Sequence, residues 1–344
     1  MMRVYASETH RAHFPKGELS GGVFVRPFEC PERVDIIRAR LDERGFGDVR
    51  EPEEADLESI RSTTDAGYLA FLEHGHEQWR AAGNEGDLIA TNWPARRMQQ
   101  SRPPRDIDGR AGYYALASET AICEGTWVAT LASAACAQDA AKHVANGAGA
   151  SFALCRPPGH HATSDMYGGY CFLNNAGLAA ETLRAGGASR VAIIDVDFHH
   201  GNGTQDMFYS RGDVFFASLH GAPEDAFPYF SGYSDETGIG TGEGATANYP
   251  MPSGTTWERW SDALDDALTR ALMTGADALV ISLGVDAYKE DPISFFKLES
   301  EDFTRIGERI GKLRKPTVFC MEGGYAVDAI GVNTVNVLEG FSAV

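Results

Sequence analysis

Val191-Ala192-Ile193-Ile194-Asp195-Val196-Asp197-Phe198-His199-His200-Gly201-Asn202-Gly203 joins an apolar, β-branched run to a cluster of acids, histidines and glycines. The run has the composition of a buried strand. Its end is a costly place for so many polar side chains unless they meet something there. Asp197 and His199 stand two apart, so in extended chain they project to the same side. An oxygen and an imidazole nitrogen at a strand's carboxyl end suit a divalent metal. One Asp-x-His by itself also fits a polar strand-to-loop junction capped by Asn202 and the glycines. The two readings separate on whether other strands end in matching chemistry.

Three further runs do. Ala278-Leu279-Val280-Ile281-Ser282-Leu283-Gly284-Val285 leads into Asp286, and Thr317-Val318-Phe319-Cys320-Met321 leads into Glu322-Gly323-Gly324-Tyr325. Ala150-Ser151-Phe152-Ala153-Leu154-Cys155 leads into Arg156-Pro157-Pro158-Gly159-His160-His161. In an open parallel sheet, ligands sit outside the carboxyl ends of the strands. Two Asp and one His then make a three-ligand set with an open position, the pattern of a catalytic zinc.

The chain has 344 residues, 43% hydrophobic and 23% charged, which is enough to bury a large core. The candidate ligands span positions 160 to 325 and no linker or internal repeat intervenes, so a single domain over residues 1–344 is expected. A formal net charge of −19 argues against nucleic acid as a partner, because phosphate contacts need clustered Lys and Arg. The same charge steers a cationic small substrate or peptide toward the protein. Cys30, Cys123, Cys136, Cys155, Cys171 and Cys320 show no C-x-x-C spacing, which points to a reducing compartment and no structural zinc. No run approaches transmembrane length and the first residues lack an apolar signal core, so a cytoplasmic protein with no membrane partner is expected.

Residues 3–6 read as a strand, 31–43 and 64–79 as helices, and 113–146 as two Ala-rich helices broken near Gly125. The segment 83–108 holds Asn92-Trp93-Pro94, Arg96-Arg97 and Pro103-Pro104 with little periodicity. A connection this long is usually functional or disordered. From Ala150 onward strand and helix alternate, with helices at 174–185, 257–273, 300–313 and 328–341, a strand at 214–220 and a glycine-rich loop at 221–244. This alternation predicts an α/β fold, an open, mostly parallel sheet flanked by helices on both faces.

In order along the chain, Arg156 to His161, Gly169-Tyr170-Cys171-Phe172-Leu173-Asn174-Asn175, Asp195 to Gly203, Ser218-Leu219-His220, Leu283 to Asp286 and Glu322 to Tyr325 resemble the motifs of the zinc-dependent deacetylases of the histone deacetylase family. The likeness covers nearly the full length. It is strongest to the family's bacterial acetylpolyamine amidohydrolases, through Cys155-Arg156-Pro157, the run from Asp195 to Asp206, Asp291-Pro292-Ile293-Ser294-Phe295-Phe296-Lys297-Leu298 and the long segment before Tyr113. The resemblance implies an arginase/deacetylase-like fold and one zinc per chain on Asp197, His199 and Asp286, ligands that also suit iron or cobalt. It implies His161, partnered by Asn202, as general base and then acid, and His160, partnered by Asp195, as an electrostatic aid. A carboxylate partner raises a histidine's pKa more than an Asn does, which would let His161 start neutral.

The resemblance further implies Tyr325 as donor to the oxyanion, and Asp195, Ser218 and Leu219 as a structural potassium site. Tyr170 and Phe227 would wall the acyl channel, Ile293 would shape its rim, and Asp108 and Glu119 would meet distal ammonium groups. Insertion 83–108 would build a homodimer and narrow the site. The expected activity is removal of acetyl groups from acetylated polyamines or diamines, with a protein acetyl-lysine deacetylase as the alternative.

Two rival readings fit these residues less well. An arginase-like centre with two manganese ions needs more bridging carboxylates. Asp286-Ala287-Tyr288 lacks a second Asp, and Asn202 stands where a carboxylate could be. A binding protein that kept the fold predicts loss of Asp197, His199, Asp286, His161 or Tyr325, and all five are present.

Overall fold

The computed structural model describes residues 2–46 and 48–344. In chain order its strands are β1 (Arg3–Tyr5), β2 (Glu18–Ser20), β3 (Val23–Val25), β4 (Val49–Arg50), β5 (Ala150–Ala153), β6 (Val191–Asp195), β7 (Val214–Gly221), β8 (Thr246–Met251), β9 (Ala278–Leu283) and β10 (Thr317–Met321). The helices are α1 (Glu32–Glu43), α2 (Leu57–Thr63), α3 (Ala66–Ala81), α4 (Ile107–Tyr114), α5 (Thr126–Ala145), α6 (Asn175–Ala185), α7 (Asn202–Phe208), α8 (Trp257–Met273), α9 (Ser300–Gly311) and α10 (Val327–Ser342). Strands β2 and β3 form an antiparallel hairpin around Gly21-Gly22. The other eight form one parallel sheet in the order β4-β1-β5-β10-β9-β6-β7-β8.

Strand alternation divides the core. On β6, Ala192 and Ile194 face a layer that includes Leu41 of α1, Leu264 of α8, Ile306 of α9 and Leu338 of α10. Val191 and Ile193 face the other way, onto α5 and α6. There Ala137, Ala140, Ala141, Ala176, Ala179 and Ala180 keep the helices close to the sheet. Both faces are therefore covered, which is why the strands read as near-continuous apolar runs. A third cluster packs Tyr68, Phe71 and Tyr114 of α3 and α4 against Tyr167 and Phe172.

The α/β architecture is the one expected, but 113–146 is not two helices. Helix α4 ends at Tyr114, residues 115–125 are irregular, and only α5 is helical beyond them. The backbone groups of 115–125 have other partners. Leu116 N–H donates to Tyr167 O, Leu88 and Ile122 exchange a pair of bonds, and Trp93 Nε1 donates to Ala115 O. Tertiary hydrogen bonding here overrides the Ala-rich propensity. Among the described residues no helix is long and apolar enough to cross a membrane.

Candidate active site

Strands β5, β10, β9 and β6 are consecutive in the sheet, so the loops leaving their carboxyl ends converge. Strand β6 stops at Asp195, which puts Asp197 and His199 in the following loop rather than in extended chain. They still face one centre because Asp197 Oδ1 accepts the His199 N–H at 2.9 Å, a local Asx-type turn. His199 Nδ1 lies 3.2 Å from Asp197 Oδ1 and 2.9 Å from Asp286 Oδ2. All three residues are buried, with donor atoms within 4.8 Å of one another.

Backbone closes tightly on this trio. A Cβ on Gly284 would fall 2.0 Å from Asp197 Oδ2, and one on Gly323 would fall 2.7 Å from Asp286 Oδ2. Gly323 N–H donates to Asp197 Oδ2 at 2.8 Å and Phe198 N–H to Asp286 Oδ1 at 2.7 Å. Burial opposes charge on the His199 ring, yet its bonds to Asp197 and Asp286 prevail and push it up to about 10. Burial, then the Asp197 charge, pushes Asp286 up to about 8. The raised values mean that the cluster holds protons, which a divalent cation bound to the same atoms would displace.

The Pro157-Pro158-Gly159 turn presents His160 and His161 with ring centroids 4.0 Å apart. His160 Nδ1 is 2.9 Å from Asp195 Oδ2, and His161 Nδ1 is 2.7 Å from Asn202 Oδ1. The Asn202 amide points its oxygen at the ring because its Nδ2 donates to His161 O at 3.3 Å. His161 Nδ1 therefore donates, which leaves Nε2 free to accept a proton. Burial disfavours charge on both rings. At His160 the Asp195 and Asp197 charges overcome it and hold the pKa well above the usual value. At His161 burial is reinforced by the charges of His160 and His199, and the pKa falls well below. Adjacent histidines are thus split into a charged and a neutral ring. Below them the Glu322 carboxylate accepts Gly159 N–H at 2.6 Å and His160 N–H at 3.1 Å.

A cavity of about 260 Å³ opens onto His161, His199 and Tyr325. Tyr325 is buried, and the Arg33 guanidinium carbon lies 5.0 Å from its ring centroid. Burial outweighs that neighbouring cation and keeps the phenol well above its usual pKa, hence protonated and able to donate.

A profile of the histone deacetylase domain matches residues 27–341. The chain belongs to the histone deacetylase family. An acetylpolyamine amidohydrolase of Mycoplana ramosa is 55% identical over 98% of this chain and 99% of its own length. Acetylpolyamine amidohydrolase 1 of Pseudomonas aeruginosa is 52% identical over 99% of each chain. The crystal structure of an acetylpolyamine aminohydrolase from Burkholderia pseudomallei superposes with a TM-score of 0.95 at 39% identity, covering 100% of this chain and 99% of that one. The fold is accordingly arginase/deacetylase-like, and the protein is a deacetylase, a hydrolase of acetyl amides.

The remaining residues singled out from sequence fall in different places around the deacetylase cavity. Tyr170, Phe227 and Ile293 line it, with the Phe227 ring edge-on to His161 at 5.0 Å. Glu119 also lines it and accepts Gly169 N–H at 2.8 Å. Asp108 does not line the cavity within this chain. It sits in the first turn of α4 and accepts from Asn92 Nδ2 at 3.0 Å. Asp195 and Ser218 pair in register across β6 and β7, Ser218 Oγ lies 2.9 Å from His220 Nδ1, and Leu219 is buried. Sequence reading missed Glu18. Its carboxylate lines the cavity, accepts the Tyr170 hydroxyl at 3.1 Å and is pushed up to about 7 by burial. The signal that could have found it is Gly21-Gly22 between two short strand-like runs, a hairpin signature.

Proposed function

We propose that the protein hydrolyses acetylated polyamines or diamines to acetate and the free amine, with one divalent metal, zinc foremost, on Asp197, His199 and Asp286. One observation carries this reading: His199 of that donor set, a neutral His161 and the Tyr325 phenol line a single cavity. The tight backbone cradle and the buried oxygen and nitrogen donors of the cluster fit a small divalent cation. When bound, the metal acts as a Lewis acid on the amide carbonyl and makes water acidic.

His161 Nε2 accepts a proton from the attacking water and returns it to the leaving amine as the C–N bond breaks. His160, paired with Asp195, stays charged and stabilises the negative charge that develops. Tyr325 donates its hydroxyl to the carbonyl oxygen as it becomes an oxyanion. Tyr170, Phe227 and Ile293 shape the passage for the acyl group. Glu18 and Glu119 offer carboxylates to a distal ammonium, and the names of the relatives support an acetylpolyamine substrate.

Three finer readings accompany this one. Potassium is assigned to the neighbourhood of Asp195, Ser218 and Leu219, supported by their adjacency across β6 and β7. Segment 83–108 is assigned a homodimer contact, supported by Trp93, which remains 39% exposed, and by Asp108, which lies outside this chain's own cavity. A reducing, cytoplasmic setting is supported by six free, buried cysteines. Potassium in place of sodium is expected to raise the melting temperature, and sedimentation is expected to give dimers at micromolar concentration.

The central test is metal removal and a substrate panel. Chelation is expected to abolish activity and one equivalent of zinc to restore it, with iron and cobalt as comparisons. Two tightly bound metals per chain would overturn the mononuclear reading. Acetylputrescine, acetylcadaverine and acetylspermidine are expected to outpace an acetyl-lysine peptide. A peptide preference would favour the protein deacetylase instead.

A further inference from the structure

We propose that Asp291 is a positioning residue for the hydrolysis, fixing the Tyr325 phenol and the Ile293 wall in one arrangement. The inference rests on the reading of Tyr325 as the oxyanion donor. Asp291 is 6% exposed and does not line the cavity. Its Oδ2 accepts Tyr325 N–H at 2.7 Å and Ala326 N–H at 3.2 Å, and its Oδ1 accepts Ile293 N–H at 3.1 Å. One carboxylate therefore ties the loop leaving β9 to the loop leaving β10. It is the only link of this kind between Ile293 and Tyr325 among the described hydrogen bonds.

The need for such an anchor follows from what precedes and follows Tyr325. Gly323 has no side chain because the metal-ligand carboxylates occupy that space, and Gly324 has φ +129°, so neither contributes packing that would hold the next residue. After Tyr325 the chain enters α10, whose N-cap, Ala326, has no side-chain cap of its own. Asp291, from another segment, accepts the N–H groups of the two residues that lead into the helix. The Arg33 guanidinium donates to the carbonyls of Glu322 and Gly324. The turn is gripped at its carbonyls by Arg33 and at its N–H groups by Asp291. A phenol that must meet a developing oxyanion depends on this grip, since donors act only when held close to the oxyanion's position.

An amide at position 291 keeps one acceptor and turns the other into a donor facing N–H groups. The test compares wild type, Asp291→Asn, Tyr325→Phe and the double variant on an acetylated diamine, with metal content and melting temperature recorded. Asp291→Asn is expected to keep one metal per chain and to lower kcat about 10–100-fold, the cost of a misplaced catalytic group. In the Tyr325→Phe background the same substitution is expected to cost less than about threefold in kcat, because the donor it positions is gone. KM is expected to rise in both backgrounds through the displaced Ile293. Asp291→Glu, which retains the charge but moves the carboxylate by a methylene, is expected to fold normally and show the same coupling.

Wild-type kcat in Asp291→Asn and Asp291→Glu would overturn the inference. So would equal fold-losses in the two backgrounds, or a kcat loss that follows metal loss. Unchanged kcat in Tyr325→Phe alone would instead overturn the reading of Tyr325, and the inference with it. A Tyr325→Phe defect without coupling would overturn the inference alone.

Discussion

The floor of the cavity and its hairpin flank are made from different kinds of chain. Asp197, His199, Asp286, His160, His161 and Tyr325 all leave the carboxyl ends of four consecutive strands, and each is at most 8% exposed. Glu18 and Glu119 come from a three-residue strand and an irregular segment about a hundred positions apart in sequence, and although Glu18 is as buried as the floor, Leu19 beside it is 40% exposed. The floor inherits the rigidity of a doubly covered sheet. The flank is held by a few hydrogen bonds, such as Tyr170 to Glu18 and Gly169 to Glu119. The proposed bond-breaking chemistry thus falls where geometry is over-determined, and the proposed choice of amine falls to short or irregular segments at the cavity's side.

Substitutions on the two regions sharpen this contrast. The largest effect is expected at the floor. His161→Ala should lower kcat on the order of 10²–10⁴-fold through lost proton transfer, with metal content unchanged. Tyr325→Phe should follow, with a loss of roughly 10²–10³ in kcat and little change in KM, by removal of one oxyanion donor. Steady-state kinetics with elemental analysis check both, and near wild-type turnover in either variant removes that residue from the chemistry.

At the flank, Glu18→Gln should leave kcat within a factor of about three and raise KM for an acetylated diamine about tenfold, the worth of one charge-assisted contact. An uncharged acetamide of equal length should show no such change. The smallest effect is the pH dependence of that contact. Glu18 is neutral below about 7 and charged above it. The ammonium of an amine substrate stays charged across this range. KM should therefore fall as pH rises through about 7, and the slope should flatten in Glu18→Gln. A kcat loss at Glu18 as deep as that at His161 would break the distinction between floor and flank.

Legibility from sequence follows the same division. Apolar runs ending in Asp-x-His, Asp, His-His and Gly-Gly-Tyr are contiguous, so the floor could be assembled by placing four strand ends together. The one error there was local: Asp197 and His199 converge through a turn, not through strand alternation. Glu18 could not be separated from 49 acidic residues, because its meaning comes from Tyr170, far along the chain. Asp291 was visible only as part of a motif, since its three bonds reach backbone in two loops. Residues 115–125 were misread because helix propensity is local, while the bonds from Trp93, Leu88 and Tyr167 that unwind the segment are not.

The two borders of the sheet bear on how copies of this chain can meet. One border, β4, is two residues long, and the other, β8, carries Pro250, which has no N–H to offer. Neither is a template for an added strand, the route by which exposed sheets fuse into larger sheets or aggregate. Strand addition at these two edges is therefore disfavoured, which favours any contact between copies being made by side chains and loops. An interface of that kind can be retuned residue by residue without disturbing the strands that carry the active site.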